Sequence, residues 1–249
     1  MRSVTGHKVG MADFPSALRV WQDGELGRAL LSAEARLLAD IFDDVFGLEL
    51  LQLGTWGVGR ELLAHARIRR QSVIGEPDAP AGADLIATLA HLPIGTGAVD
   101  AVLLPHTLEF VSDPYAVLRE ADRVLAAGGP MMVLGFRPAS FWGIRAAASR
   151  SGFPPGLRRM LSSWRVRDWL RLLGYEVVSV RSYLYRLPRA GSSPLEAAVS
   201  SILRRGWLYP WPAGAYVLKA RKRVYALTPV RPRLRERRTV IGGLVEPGF

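Results

Sequence analysis

What most constrains this chain is an alternation of short apolar runs with helix-spaced patterns, the first of them broken by glycines. Residues 48–53 form a short apolar run that opens into Gly54-Thr55-Trp56-Gly57-Val58-Gly59, and residues 60–67 then read as helix. Strand, glycine turn and helix follow one another directly. Further apolar runs lie at 72–75, 84–88, 100–104 and 131–136. The helix between the last two is marked at both ends: Asp113 can cap it and Pro114 suits its first position, where no amide donor is needed. Val117, Leu118, Ala121, Val124 and Leu125 form its stripe, and Gly128-Gly129 ends it. Ahead of the first strand, Leu30, Leu31, Leu37, Leu38, Ile41, Phe42 and Val45 recur at helical spacing, which predicts an amphipathic helix over about 27–46. Beyond residue 136 the pattern predicts a helix at 139–150, a loop at 152–156 and a helix at 165–173. A strand at 175–182, a helix at 194–205 and a strand at 216–221 complete it. Such alternation implies an α/β fold: a Rossmann-like, doubly wound, mostly parallel sheet with helices on both faces.

At 249 residues and 49% hydrophobic, the chain can bury one sizeable core. The expected division is a helical lead-in at 1–46, an α/β domain at 47–228 and a loose basic tail at 229–249. No cysteine is present, which excludes disulfides, thiolate metal sites and cysteine nucleophiles. No run reaches membrane-spanning length and the N-terminus lacks a secretory core, so a cytoplasmic protein with no membrane partner is expected. The formal net charge is +11, and residues 219–249 carry nine basic and two acidic residues. Such a tail can dock phosphate backbones, although arginine abundance alongside Ala, Gly and Pro also fits a compositional bias.

Glycines at a strand end let a ligand approach the backbone, and the following helix presents free amides. Glu76 closes the second strand, 22 residues after Gly54. From that position a carboxylate can accept hydrogen bonds from both ribose hydroxyls of an adenosine. A nicotinamide dehydrogenase shares these features, but its fingerprint is Gly-x-Gly-x-x-Gly, whereas Gly54, Gly57 and Gly59 give Gly-x-x-Gly-x-Gly. His106, just past the fourth strand, is the candidate general base at the mouth of the pocket. His7, His65 and His91 are scattered without a carboxylate cluster, so no metal site is expected.

From residue 50 to 137 the sequence resembles the class I S-adenosylmethionine-dependent methyltransferases, especially their type 11 branch. The resemblance is carried by Leu50-Leu51-Gln52-Leu53-Gly54 with Gly57-Val58-Gly59, His91-Leu92-Pro93-Ile94, Val99-Asp100-Ala101-Val102 and Leu108-Glu109-Phe110. Asp113-Pro114 and the run Leu118 to Leu125 before Gly128-Gly129 continue it. The flank Trp21, Gly27-Arg28, Leu30-Leu31, Glu34 is similar to a bacterial subgroup of that family. The resemblance implies a seven-stranded sheet with an antiparallel last strand and S-adenosyl-L-methionine as cofactor. It places Gln52, Gly54, Gly57, Gly59, Glu76, Thr88 and Leu89 around that cofactor. Gln52 stands where the family usually has an acid, and Trp56 lengthens the turn by one residue. Thr88 replaces an acid beside the adenine, and Phe110 a histidine. Glu76 is thus the remaining carboxylate of three.

Methyl transfer from a sulfonium needs alignment more than a catalytic group. Without cysteine, thiolate activation of a pyrimidine is excluded. Leu104-Pro105-His106-Thr107 also differs from the Asn/Asp-Pro-Pro-aromatic pattern used on base amines. A small-molecule acceptor is therefore favoured over nucleic acid, with Trp21, Phe141, Trp142, Trp164 and Trp169 as candidate pocket walls. The alternative is a catalytically degenerate protein of this fold that binds a partner, such as nucleic acid, through its arginine-rich tail.

Overall fold

A computed structural model describes residues 14–57, 60–149, 152–185 and 213–223. The chain runs α1 (Phe14–Asp23), α2 (Glu25–Phe42), β1 (Glu49–Leu53), a 3-10 turn (Glu61–Leu63), β2 (Arg70–Gly75), β3 (Leu85–Ile86), β4 (Ala101–Pro105), α3 (Thr107–Phe110) and α4 (Pro114–Val124). It continues β5 (Pro130–Phe136), α5 (Phe141–Ala148), α6 (Ser163–Leu172), β6 (Tyr175–Tyr183) and β7 (Ala215–Lys222). The strands form one seven-stranded sheet in the order β3-β2-β1-β4-β5-β7-β6. Pairings among β1 to β5 are parallel, and β7 runs antiparallel to both β5 and β6. The order reverses between β1 and β4. In an open α/β sheet that switch point, at the carboxyl ends of the strands, is where a ligand crevice forms.

Alternating side chains along each central strand feed two separate cores. Leu50, Leu103, Met132 and Leu134 meet α1 and α2 on one face, and Leu51, Leu53, Val102 and Leu104 meet α4 and α6 on the other. The stripe of α2 is Leu30, Leu31, Leu38, Ile41 and Phe42, and Glu34 sits inside it. Lys219 of β7 fastens the end of this helix. Its buried ammonium donates to Ile41 O at 2.9 Å and to the Asp44 carboxylate. Hydrogen bonding from Lys219 holds the Asp44 carboxyl below its usual range.

Several elements differ from expectation for local reasons. The helix expected at 60–67 is only a single 3-10 turn over Glu61–Leu63, which buries Leu62 and Leu63 side by side. The strand expected at 84–88 pairs only through Leu85–Ile86, since Asp84 turns its carboxylate back to accept from Val73 N at 2.8 Å. Helix α1 lies within the expected helical lead-in, and α1 and α2 cross tightly at Gly27, where a Cβ would lie 2.4 Å from Trp21 O. The helix expected at 194–205 and the tail at 229–249 lie outside the described residues.

Helix α4 matches its sequence signals, with the Asp113 carboxylate accepting from Tyr115 N at 3.1 Å and Ala116 N at 3.0 Å. Asp113→Ala should therefore destabilise the protein by about 1 kcal/mol, the usual worth of an N-cap. Chemical denaturation should show this as a lower midpoint with an unchanged slope.

Candidate functional site

The segments after β1, β2, β3 and β4 lie at the carboxyl edge of the sheet, around the switch point. There half-exposed Glu76 accepts through Oε1 from the backbone N–H of Leu89 at 3.1 Å. One hydrogen bond thus fixes the carboxylate at the end of β2 against the segment after β3. Thr88 beside it is exposed, and Leu89 is buried. The structure brings Glu76, Thr88 and Leu89 together.

The glycine turn follows β1 and is held from several directions. Gly54 has φ +92°, and a Cβ there would lie 2.8 Å from Thr107 Oγ1, so both conformation and space require glycine. The Thr107 hydroxyl donates to Leu53 O. Gly57 has φ +93° but only ordinary contacts for a Cβ, so its requirement is conformational. Gln52 Nε2 donates to Gly54 O at 2.9 Å and to Trp56 O at 3.4 Å. An acid at position 52 would set its oxygens against both carbonyls. The longer turn thus explains the amide. Gln52 Oε1 is buried and has no partner among the described residues. Gly59 lies outside them.

Arg19 of α1 reaches across the same edge, donating to Gly57 O at 3.1 Å and to Ala81 O. It ties the loop after β1 to the loop after β2.

His106 departs most from expectation. Rather than standing at an accessible mouth, it is 0% exposed, with φ +55° between β4 and α3. Its Nδ1 lies 2.9 Å from Glu109 Oε2 and its Nε2 2.8 Å from Glu34 Oε1. Glu34 also accepts from Trp56 Nε1 at 2.8 Å and from the Tyr183 hydroxyl at 3.0 Å. Glu109 Oε1 accepts from Phe136 N at 2.8 Å. The indole of Trp56 lies 4.5 Å from the imidazole, centre to centre, and Phe136 lies 4.1 Å away.

Burial by itself would push the His106 imidazole down, but the Glu34 charge and the hydrogen bonds to Glu109 and Glu34 outweigh it and raise it to about 9. Burial raises the Glu109 carboxyl, although the His106 hydrogen bond opposes it. Burial first, and the Glu34 charge second, hold Tyr183 well above the usual phenol range, so it remains a neutral donor.

The expected aromatic walls do not share one pocket. Trp142 is buried, stacked on Phe136 at 5.6 Å, and Trp21 packs against Trp56 and Phe153. Trp169 meets Tyr115 beside the opposite core, while Phe141 and Trp164 are exposed. The cluster around Trp56 belongs to the core beneath α1 and α2.

Position 106 was legible as special, but its partners were not. Glu34 carried a signal, since an acid falls within the apolar spacing of α2. Glu109 showed only its spacing of three from His106. Tyr183, 149 residues from Glu34, and Arg19, 38 residues from Gly57, gave none.

Two solved structures share this fold. A SAM-dependent methyltransferase from Thermotoga maritima superposes with TM-score 0.59 at 19% identity, covering 86% of this chain and 98% of that one. Geranyl diphosphate C-methyltransferase from Streptomyces coelicolor A3(2), in complex with Mg2+, geranyl diphosphate and S-adenosyl-L-homocysteine, superposes with TM-score 0.51 at 19% identity over 90% of both chains. The family described as methyltransferase domain matches residues 60–133. Uncharacterized protein Rv2003c of Mycobacterium tuberculosis (strain ATCC 25618 / H37Rv) is 30% identical over 198 residues, which is 75% of this chain and 67% of that protein. Residues 60–133 thus match the methyltransferase-domain family, and the chain has the fold of the class I S-adenosylmethionine-dependent methyltransferases. Uncharacterized protein YafS of Escherichia coli (strain K12) is 35% identical to this chain over 161 residues, 64% of the chain, and the chain spans 65% of that relative's length. Among the described residues, no helix is long and apolar enough to cross a membrane, and no group of three or more His, Asp or Glu side chains could hold a metal ion.

The raised His106 fixes a pH dependence of stability for this protein. A histidine whose folded value exceeds its unfolded one contributes stability that is complete below the unfolded value, about 6.5. That contribution is lost as pH rises through about 9. Thermal unfolding from pH ~6.5 to pH ~9.5 should therefore show a decline in the wild type that is missing from His106→Gln. Parallel curves for the two proteins would contradict this.

Proposed function

We propose that the protein binds S-adenosyl-L-methionine in the crevice between the ends of β1, β2 and β4 and transfers its methyl group to a small or medium-sized acceptor by in-line displacement. The observation that carries this reading is the placement of Glu76. It is a half-exposed carboxylate at the end of β2, held by the Leu89 amide and following Gly75, which packs closely on Thr55 of the glycine turn. The unpartnered Gln52 Oε1 supports it at the other end, as a buried acceptor suited to an ammonium group.

The cofactor when bound supplies a methyl group on a sulfonium, so the reactive electrophile does not come from the protein. The chain's part is to hold and align. Glu76 accepts from the ribose hydroxyls, and the Leu89 N–H keeps that carboxylate turned toward them. Thr88 and Leu89 flank the base. Gln52 pins the carbonyls of the turn and leaves Oε1 for the methionine amine. Gly54 and Gly57 give the backbone its positive φ. No general base is assigned to His106, because both its nitrogens are bound to carboxylates and a base must reach the proton it takes. The small-molecule preference rests on the sequence around Leu104-Pro105-His106-Thr107, which lacks the pattern used on nucleic-acid bases.

Calorimetric titration tests the reading. S-adenosylmethionine and S-adenosylhomocysteine should both bind the folded protein. Glu76→Ala should weaken both by about 1 to 3 kcal/mol, the loss of a charged acceptor, while leaving the thermal unfolding midpoint nearly unchanged. Absence of heat at millimolar ligand would remove the enzymatic reading and leave the binding-protein alternative.

A further inference from the structure

Each ring nitrogen of His106 faces a carboxylate oxygen, Nδ1 to Glu109 at 2.9 Å and Nε2 to Glu34 at 2.8 Å. A proton must lie in both contacts, because two lone pairs cannot share that distance. Either the imidazole is protonated between two carboxylates, or it is neutral beside one carboxylate and one carboxylic acid. The sum is the same: the three groups together carry one negative charge wherever the second proton resides. The remaining partners of the carboxylates are neutral donors: Trp56 Nε1, the Tyr183 hydroxyl and the Phe136 amide. Among the described residues, no lysine or arginine forms an ion pair with Glu34 or Glu109.

A net charge with His106 and Glu34 0% exposed and Glu109 1% exposed is costly unless something opposite in sign comes near it. The array is wired to the glycine turn. Trp56, which donates to Glu34, also offers its backbone carbonyl to Gln52, the residue standing where an acid is usual. Position 52 cannot itself hold an acid, since its side chain must donate to two carbonyls. The negative charge missing from the turn is therefore found one layer below it, behind the indole of Trp56.

We propose that Glu34, His106 and Glu109 form a buried anionic array that favours the positively charged sulfonium of S-adenosylmethionine over the neutral thioether of S-adenosylhomocysteine, in place of the absent acid at position 52. These are positioning residues that act through the field and through Trp56, without touching the reacting atoms. The inference rests on the cofactor site proposed above. It also gives the array a use after transfer, because the product has lost the charge that the array attracts.

The test compares two ligands that differ in this charge. Dissociation constants for S-adenosylmethionine and S-adenosylhomocysteine are measured by calorimetry for wild type, Glu34→Gln, Glu109→Gln and Glu76→Ala. Glutamine keeps side-chain size, and a Glu34→Gln/Glu109→Gln double variant, measured beside the single ones and deciding between outcomes, has no carboxylate left to carry the net charge; circular dichroism shows which variants are folded. In each folded one, the preference for the sulfonium ligand should fall about tenfold, the scale expected for one charge roughly 12 Å away through an effective dielectric of about 20. Glu76→Ala should weaken both ligands in parallel, since the ribose is common to them. Parallel weakening in the glutamine variants, or no change, overturns the array's electrostatic role and leaves it a structural clamp. Failure of the wild type to bind either ligand overturns the cofactor site itself, and this inference with it.

Discussion

The carboxyl edge of the sheet is organised around Glu34. Its carboxylate accepts from the His106 imidazole, the Trp56 indole and the Tyr183 phenol, and so joins α2 to the ends of β4 and β6 and to the turn after β1. Glu109 extends the connection to the start of its own short helix and to Phe136 at the end of β5. A fully buried carboxylate is tolerated only when its oxygens are satisfied. Here each oxygen of both acids is, and the satisfaction requires those elements to converge. The glycine turn inherits its shape from this convergence, because Trp56 cannot reach Glu34 unless the chain takes one more residue to get there.

That extra residue explains a second departure. With Trp56 turned into the core, the carbonyls of Gly54 and Trp56 face the side chain at position 52, and an amide donor becomes necessary there. Two differences that look like independent losses in the sequence are therefore one rearrangement. The contact of Glu76 with Leu89 at the end of β2 lies apart from this change.

The scaffold was largely legible because its signals are local. Asp113, Pro114 and the stripe from Val117 to Val124 specify α4 within one stretch of chain, and the glycines after β1 mark the turn. The interior of the site was not legible. A histidine past a strand end suggests an exposed base, and only the fold reveals that Glu34 and Tyr183, 72 and 77 residues away from it, close over that ring. The reading of 60–67 as one helix also failed: burial of the adjacent Leu62 and Leu63 is met by a single 3-10 turn, and local helical spacing did not show this. Pairing between distant charged groups leaves no periodic trace, whereas an acid inside an apolar stripe does.

The fastening of α2 by Lys219 gives the assembly of the molecule a definite order. The ammonium that closes the end of this helix lies 178 residues beyond Ile41, in a strand inserted between β5 and β6. A contact so distant in sequence cannot form early in synthesis, when only nearby segments are available. The helix that presents Glu34 is thus anchored at its far end only after nearly the whole sheet has been made, and completion of the polar interior waits on one of the last strands to arrive.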